Sequence, residues 1–187
     1  MIVQREHASM IGRGPGQGWA SVLVPELVAA QAAQTPTKVA ISAPDRVLTY
    51  GELDTDANRL AHFLQARGVG PEVRVSLCLE RSAALVIAAL AVLKAGGAYL
   101  PLDPAAPAER LTFMLRDAAV PVLLTDARLA VTLPTGRWET VALDADAARI
   151  ACESVAAPVS HATAANLAYV IYTSGSTGLA QGSGDRA

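Results

Sequence analysis

Apolar residues recur along the chain with two periods, one typical of helices and the other of strands. In the clearest helical stretch they fall at i, i+4, i+7, i+8 and i+11 from Leu53 to Leu64, which places them on one face. Thr49 and Glu52 have the spacing of a capping box, in which a hydroxyl and a carboxylate satisfy free backbone N–H groups. The pattern therefore predicts a helix that begins at Thr49 and is closed by Gly68.

Strands and helices alternate over the rest of the chain. Further helices are predicted from Pro25 to about Gln34, over the Ala-rich run that follows Ser82, and from Pro107 to Ala118. Residues 144–165 are predicted as helix and loop. Strands are predicted at Val39–Ser42, Val47–Leu48, Val73–Leu79, Ala98–Leu100, Val122–Thr125, Thr140–Leu143 and Leu167–Thr173. This alternation predicts an α/β fold with a mostly parallel sheet and flanking helices.

Composition narrows the class of protein. Of the 187 residues, 52% are hydrophobic and 17% are charged, which excludes an intrinsically disordered chain. The formal net charge is −2, so there is no electrostatic reason to expect nucleic acid as a partner. The longest apolar run, Ala83 to Leu93, is too short to cross a bilayer as a helix. We therefore expect no membrane and no nucleic acid among the partners.

The N-terminal segment and the cysteines indicate the compartment. Residues 1–21 are predicted to be a flexible tail or linker without a secretory signal, and residues 22–187 to form the folded part. Cys78 and Cys152 lie far apart, and neither belongs to a Cys-x-x-Cys or Cys/His cluster. We interpret them as two reduced, buried thiols of a cytoplasmic protein, and a disulfide or a metal role as the weaker alternative.

One segment carries candidate chemistry. The strand at Leu167–Thr173 leads directly into Ser174-Gly-Ser-Thr-Gly178, a loop of small and hydroxyl residues. Backbone N–H groups in such a loop can approach an anion closely, and the hydroxyls add donors. This composition fits a phosphate-binding loop and, equally, a polar linker after a strand. It is not a Walker A loop, because no Gly-Lys-Ser/Thr follows and the chain has no lysine after Lys94.

Three segments resemble the adenylate-forming (AMP-binding) superfamily, and in particular the adenylation domains of non-ribosomal peptide synthetases. Leu48-Thr-Tyr-Gly-Glu-Leu53 is similar to the first core motif of these domains, and Leu93-Lys-Ala-Gly-Gly-Ala-Tyr-Leu-Pro-Leu-Asp-Pro104 to the second. The segment Leu167 to Gly178 is similar to the phosphate-loop motif. The three occur in the family's order and extend the resemblance over about Val22 to Gly178.

The resemblance implies ATP-dependent activation of an amino acid to an aminoacyl-AMP, with ATP and Mg²⁺ as cofactors. The acyl group would then pass to a phosphopantetheine thiol on a carrier protein. Residues of the first two motifs, such as Tyr50, Glu52, Leu53 and Lys94, are interpreted as structural, and no residue of this chain is assigned a catalytic or metal-binding role. The residues implied to hold the ATP phosphates are Thr173, Ser174, Gly175, Ser176, Thr177 and Gly178.

The sequence departs from the family after Gly178. Ala180 and Gln181 stand where the family has Pro and Lys, and glutamine supplies no cation to a polyphosphate. Residues 180–187 can be encoded so that dropping one base gives Pro-Lys-Gly-Val-Val-Ile-Glu, which restores the family pattern. We therefore predict a frameshift near codon 180 and a chain that is the truncated N-terminal part of a longer synthetase.

The resemblance places the family's amino-acid pocket, adenine contacts and catalytic lysine downstream of the phosphate loop. We accordingly expect this chain to be inactive alone. Two alternatives stay open: a fragment of an acyl-CoA or aryl-acid ligase, and a non-enzymatic nucleotide-binding or docking module.

Overall fold

The computed structural model describes residues 2–5 and 22–172, which form strands and helices in alternation. The strands are β1 (Ile2–Arg5), β2 (Val39–Ser42), β3 (Val47–Thr49), β4 (Arg74–Leu77), β5 (Ala98–Pro101), β6 (Val122–Thr125), β7 (Glu139–Ala142) and β8 (Leu167–Ile171). The helices are α1 (Val24–Gln34), α2 (Tyr50–Gln65), α3 (Ala83–Lys94), α4 (Ala108–Asp117), α5 (Ala127–Ala130) and α6 (Ala147–Ala151). In this part of the chain, no helix has the length and apolar character needed to cross a bilayer.

The main sheet has the order β1-β8-β5-β4-β6-β7, and β8, β5, β4, β6 and β7 are mutually parallel. The predicted α/β fold with a mostly parallel sheet is thus confirmed. Strands β2 and β3 form the predicted antiparallel hairpin. Strand β1 pairs antiparallel with β8 and lies within the segment that the sequence assigns to a flexible tail. Ile2 and Val3 favour extended backbone, and the open edge of β8 offers them hydrogen-bond partners.

Two apolar layers enclose the sheet. On one face, α2 and α3 pack against Val75, Leu77 and the alternate residues of β6 and β7. On the other face, α4 packs through Leu111, Met114 and Leu115 against residues that include Leu100, Leu123 and Val170. Successive residues of a strand point to opposite faces, which is why Leu123 joins one layer while its neighbours Val122 and Leu124 join the other.

Helix α2 forms as the sequence predicts. The Glu52 amide donates to Thr49 Oγ1, and the Glu52 carboxylate accepts from the Thr49 amide at 2.8 Å. These bonds hold the pKa of Glu52 below its ordinary value. All five apolar positions of the predicted face are buried: Leu53, Ala57, Leu60, Ala61 and Leu64. Ser82 caps α3 by a single bond, in which its Oγ accepts from the Leu85 amide.

Two adjacent glycines turn the chain from α3 into β5. Gly96 has a φ of 91°, in the left-handed region that favours glycine. Gly97 lies so close to its neighbours that an added Cβ would stand 2.8 Å from Val69 Cγ1 and 3.0 Å from the Val73 carbonyl oxygen. The first glycine is therefore needed for backbone conformation, and the second for close packing.

The structure corrects two expectations about burial. Cys78 is buried, whereas Cys152 is exposed just after the short helix α6, where no layer covers it. The last strand was predicted as buried from Leu167 to Thr173, but it ends at Ile171 and buries only its alternate residues Ala168 and Val170. Ile171 itself is 40% exposed, because the described residues cover only one face of the sheet at this strand.

A crossover segment, residues 153–166, connects α6 to β8 along the surface of α2. Asn58 Nδ2 donates to the Val155 carbonyl at 2.8 Å, His62 Nε2 lies 3.0 Å from the Ala156 carbonyl oxygen, and Gln65 Nε2 donates to the Val159 carbonyl at 2.8 Å. These three side chains lie on one side of α2 because they are four and three residues apart. Side chains of α2 thus contact backbone carbonyl groups of the crossover segment and hold this otherwise irregular connection in place.

Candidate nucleotide-binding site

The candidate site begins where β8 leaves the sheet. Because β8 is parallel to β5, its carboxyl end lies at the same edge of the sheet as those of the other parallel strands, the usual ligand-binding edge of such sheets. The two strands are in register at Tyr99 and Tyr169, whose rings stack with centroids 5.7 Å apart. The strand of the third motif therefore lies beside the strand of the second.

Tyr172, the last described residue before the predicted loop, is anchored to α4. Its hydroxyl donates to Asp117 Oδ2 at 2.5 Å, and its ring meets Phe113 edge to face at a centroid distance of 6.4 Å. The pKa of Tyr172 is raised above its ordinary value, mainly by burial and secondly by the hydrogen bond to Asp117. A neutral phenol therefore fixes the point from which residues 173–178 depart.

The predicted phosphate-binding residues lie outside the described part of the chain. They are Thr173, Ser174, Gly175, Ser176, Thr177 and Gly178. Their role stays a prediction, as does that of residues 180–187.

The neighbouring strand ends carry a thiol and carboxylates. Cys78 follows β4, and burial, together with the negative charges of Asp103, Asp126 and Glu80, raises its pKa to about 11. A thiol with this pKa stays protonated at neutral pH, which excludes a thiolate nucleophile at this position. Asp103 accepts from the Ala105 amide, and Asp126 accepts from the Leu129 amide, so both carboxylates also support local turns.

The described residues offer no ready metal centre. Within residues 2–5 and 22–172, no group of three or more His, Cys, Asp or Glu side chains is arranged to hold a metal ion.

Helices α2 and α3 meet through a buried ion pair. Lys94 is 4% exposed, and its Nζ lies 2.7 Å from Asp54 Oδ1 and 2.7 Å from Asn58 Oδ1. The structural interpretation of Lys94 is consistent with these contacts, since its ammonium is already paired. The sequence did not indicate its partners, although Asp54 and Asn58 stand four residues apart beside the apolar face of α2, a spacing that can hold one cation between two side chains.

Comparison with known proteins decides the family. The model of the AMP-binding enzyme family matches residues 28–182, most of the chain. The chain belongs to the AMP-binding enzyme family. A linear gramicidin synthase of Brevibacillus parabrevis is 51% identical over 160 residues, which are 86% of this chain and 3% of that protein. A plipastatin synthase of Bacillus subtilis (strain 168) is 51% identical over 153 residues, which are 81% of this chain and 6% of that protein.

Solved structures of AMP-binding relatives share the fold. The non-ribosomal peptide synthetase FmoA3, in its α-methyl-L-serine-AMP bound form, superposes with a TM-score of 0.78 at 34% identity, over 84% of this chain and 18% of that one. The N-terminal subdomain of NpsA from Klebsiella oxytoca gives a TM-score of 0.70 at 27% identity, over 83% of this chain and 39% of that one. The predicted resemblance to the N-terminal part of peptide-synthetase adenylation domains is confirmed. The chain spans only 3–6% of the two synthases named above.

Proposed function

We propose that this chain supplies the phosphate-loop portion of an amino-acid adenylation domain in non-ribosomal peptide synthesis. The observation that carries the proposal is the register of β8 on β5, which sets the strand before residues 173–178 beside the second motif. Supporting it, relatives at about 50% identity include gramicidin and plipastatin synthases, and the FmoA3 structure is described with an amino-acyl-AMP bound.

The proposed reaction joins an amino-acid carboxylate to ATP. A carboxylate oxygen forms a bond to the α-phosphorus, the bond from that phosphorus to the bridging oxygen breaks, and pyrophosphate leaves with the electron pair. In this reaction the loop binds phosphate oxygens through backbone N–H groups and the hydroxyls of Ser174, Ser176 and Thr177. Tyr172 holds the start of the loop against Asp117. Mg²⁺, when bound to the nucleotide, neutralises phosphate charge.

The partners follow from the same proposal. The substrate is an amino acid, and the acceptor is the phosphopantetheine thiol of a carrier protein, to which the acyl group passes with release of AMP. The whole would operate in the cytoplasm. We propose that the chain is inactive alone, because the family's amino-acid pocket and catalytic lysine lie downstream of the phosphate loop.

ATP–pyrophosphate exchange tests these statements. We expect no exchange by the 187-residue chain and amino-acid-dependent exchange when the downstream polypeptide is supplied. Replacing Ser176 and Thr177 by Ala and Val should lower that exchange about 100-fold, as loss of oxyanion donors does, whereas the exposed control Thr37→Ala should leave it unchanged. Exchange by the chain alone would contradict the proposal that it is inactive without the downstream polypeptide.

The same assay separates the alternatives. Exchange driven by fatty or aryl acids, and not by amino acids, would assign an acyl-CoA or aryl-acid ligase. Saturable ATP binding without exchange under any condition would assign a non-enzymatic module.

The proposed frameshift has its own test. Resequencing the gene across codon 180 should reveal a second frame that reads Pro-Lys-Gly and continues as an adenylation domain. A stop codon or an unrelated sequence in that frame overturns this part of the proposal and leaves the phosphate-loop assignment standing.

A further inference from the structure

A cleft lies at the amino ends of β6 and β7, at the opposite edge of the sheet from the end of β8. Its walls come from the end of α4, the turn that leads into β6 and the loop that leads into β7. The cleft has a volume of about 640 Å³, within the range of roughly 300–1,000 Å³ found for small-molecule sites. The residues that define this amino-end cleft include Leu115, Arg116, Val120, Pro121, Arg137 and Trp138.

The walls of the amino-end cleft are mainly apolar. Leu115 and Val120 are buried and belong to the apolar layer under α4, and Trp138 is only 9% exposed. The Trp138 ring lies directly over Gly136, where an added Cβ would collide with it. A flat aromatic wall of this kind provides contact area for an apolar or aromatic body.

The rim of the amino-end cleft is cationic. Arg116 and Arg137 both line it and both are exposed, and no acidic side chain is among its lining residues. Among the ion pairs of residues 22–172, neither guanidinium has a carboxylate within 4.0 Å. Glu139, the acidic residue next to Trp138, is already paired with Arg67 at 2.9 Å. Guanidinium groups bind carboxylates through two parallel hydrogen bonds.

A buried hydrogen-bond donor in the wall of the cleft also favours a bound ligand. Trp138 Nε1 is buried and has no hydrogen-bond acceptor within the described part of the chain. A buried N–H without an acceptor destabilises the fold. An occupant that brings an acceptor to this N–H would relieve that destabilisation.

We propose that the amino-end cleft binds a small carboxylate carried on an apolar body. Arg116 and Arg137 would hold the carboxylate, and Trp138, Leu115 and Val120 would contact the body. This site lies at the opposite edge of the sheet from the end of β8 and does not depend on the function proposed for residues 173–178.

Nuclear magnetic resonance on the full chain tests the proposal directly. The chain has two tryptophans, so the Trp19→Phe variant leaves a single indole N–H signal, that of Trp138. The probes are 3-phenylpropionate, its neutral amide and acetate, which separate the contributions of charge and body. We expect a saturable shift of the Trp138 signal with 3-phenylpropionate, at an affinity at least tenfold higher than that of either other probe.

Substitutions identify the groups responsible. Arg116→Gln with Arg137→Gln should weaken binding of 3-phenylpropionate at least tenfold. The matched control is Arg110→Gln, an exposed arginine on α4 that does not line the cleft and whose loss should leave affinity within twofold. If the double variant loses its dispersed spectrum, each single variant and the salt dependence of binding to the unsubstituted cleft replace it.

Several outcomes overturn the proposal. An unsaturable shift shows that no site exists, and equal binding of the amide shows that the arginines do not select a carboxylate. Equal binding of acetate shows an anion site without an apolar component. If Arg110→Gln lost as much affinity as the double variant, the loss would result from the change in net charge and not from the arginines of the cleft.

Discussion

Lys94 Nζ lies 2.7 Å from Asp54 Oδ1, and this contact ties the end of α3 to the first turns of α2. Asn58 completes the network, since its side chain bonds Lys94, Asp54 and the Val155 carbonyl. Lys94 of the second motif is therefore joined by a polar contact to α2, at residues that follow the first motif.

Replacing Lys94 with methionine should destabilise the fold. The change leaves the Asp54 carboxylate without its cation, and breaking a buried pair costs about 3–5 kcal/mol. Asp54 is 21% exposed, so we expect about 3 kcal/mol in urea unfolding, at the lower end of that range. The control Arg128→Met breaks a pair whose side chains are 68% and 64% exposed, and it should cost under about 1 kcal/mol. Equal costs in the two variants would contradict the buried network.

The glycine pair should respond unequally to alanine. Gly97→Ala places a Cβ against the Val73 carbonyl oxygen and Val69, which cannot both move away, and should cost about 2–3 kcal/mol. Gly96→Ala forces a left-handed backbone on alanine and should cost about 1–2 kcal/mol. Thermal unfolding measures both. A larger cost at Gly96, where an added Cβ would stand 3.0 Å from Ser160 Oγ, would contradict this order.

Tyr172→Phe should change how stability depends on pH. The folded state raises the pKa of Tyr172, so the folded chain holds this proton more tightly than the unfolded chain does. The resulting stabilisation is fully present below the ordinary pKa of about 10 and is lost as the pH rises through the higher folded-state value. Urea midpoints at pH 9, 10 and 11 should therefore fall less steeply in Tyr172→Phe than in the unsubstituted chain. Equal slopes in the two chains would contradict the raised pKa of Tyr172.

The two cysteines should react at very different rates. Cys152 is exposed, whereas Cys78 is buried with its pKa raised to about 11, so a thiol reagent at pH 7.5 should label one site per folded chain. Cys152→Ser should abolish this labelling, and denaturant should restore reaction at Cys78. Rapid native labelling of Cys152→Ser would contradict the burial of Cys78.

Gln181→Lys should strengthen ATP binding if residues 173–178 hold phosphates. A lysine adds a charge-assisted contact to the polyphosphate, for which we expect about tenfold tighter binding by calorimetry. The matched control is Gln34→Lys, which adds the same charge at an exposed position at the end of α1. Equal gains in the two variants would indicate a general effect of net charge.

Local signals predicted much of this fold. Helix α2 followed from a cap and a periodic face, because both belong to contiguous residues. The partners of Lys94 escaped prediction because they lie about 40 residues away on another helix. The exposure of Cys152 was not predicted, because the Ala-rich sequence around α6 has the composition of a buried segment. Burial depends instead on whether another layer of the fold packs over that segment. Of the candidate site, the structure describes β8 and Tyr172, which precede the predicted loop. The role of residues 173–178 stays a prediction.

The crossover segment, residues 153–166, fixes where β8 starts. Within the sheet, β8 shares the register pair Tyr99 and Tyr169 with β5 and pairs with β1 along Ile2–Arg5. Three carbonyls of the crossover are bound by α2, and Glu72 accepts from the Asn166 side chain and the Leu167 amide at its end. A shift of β8 by one residue would reverse its two faces and turn Tyr172 away from Asp117. Through these contacts helix α2 sets the length of the connection that leads into β8. The constraint acts on the backbone of the crossover segment and not on its side chains.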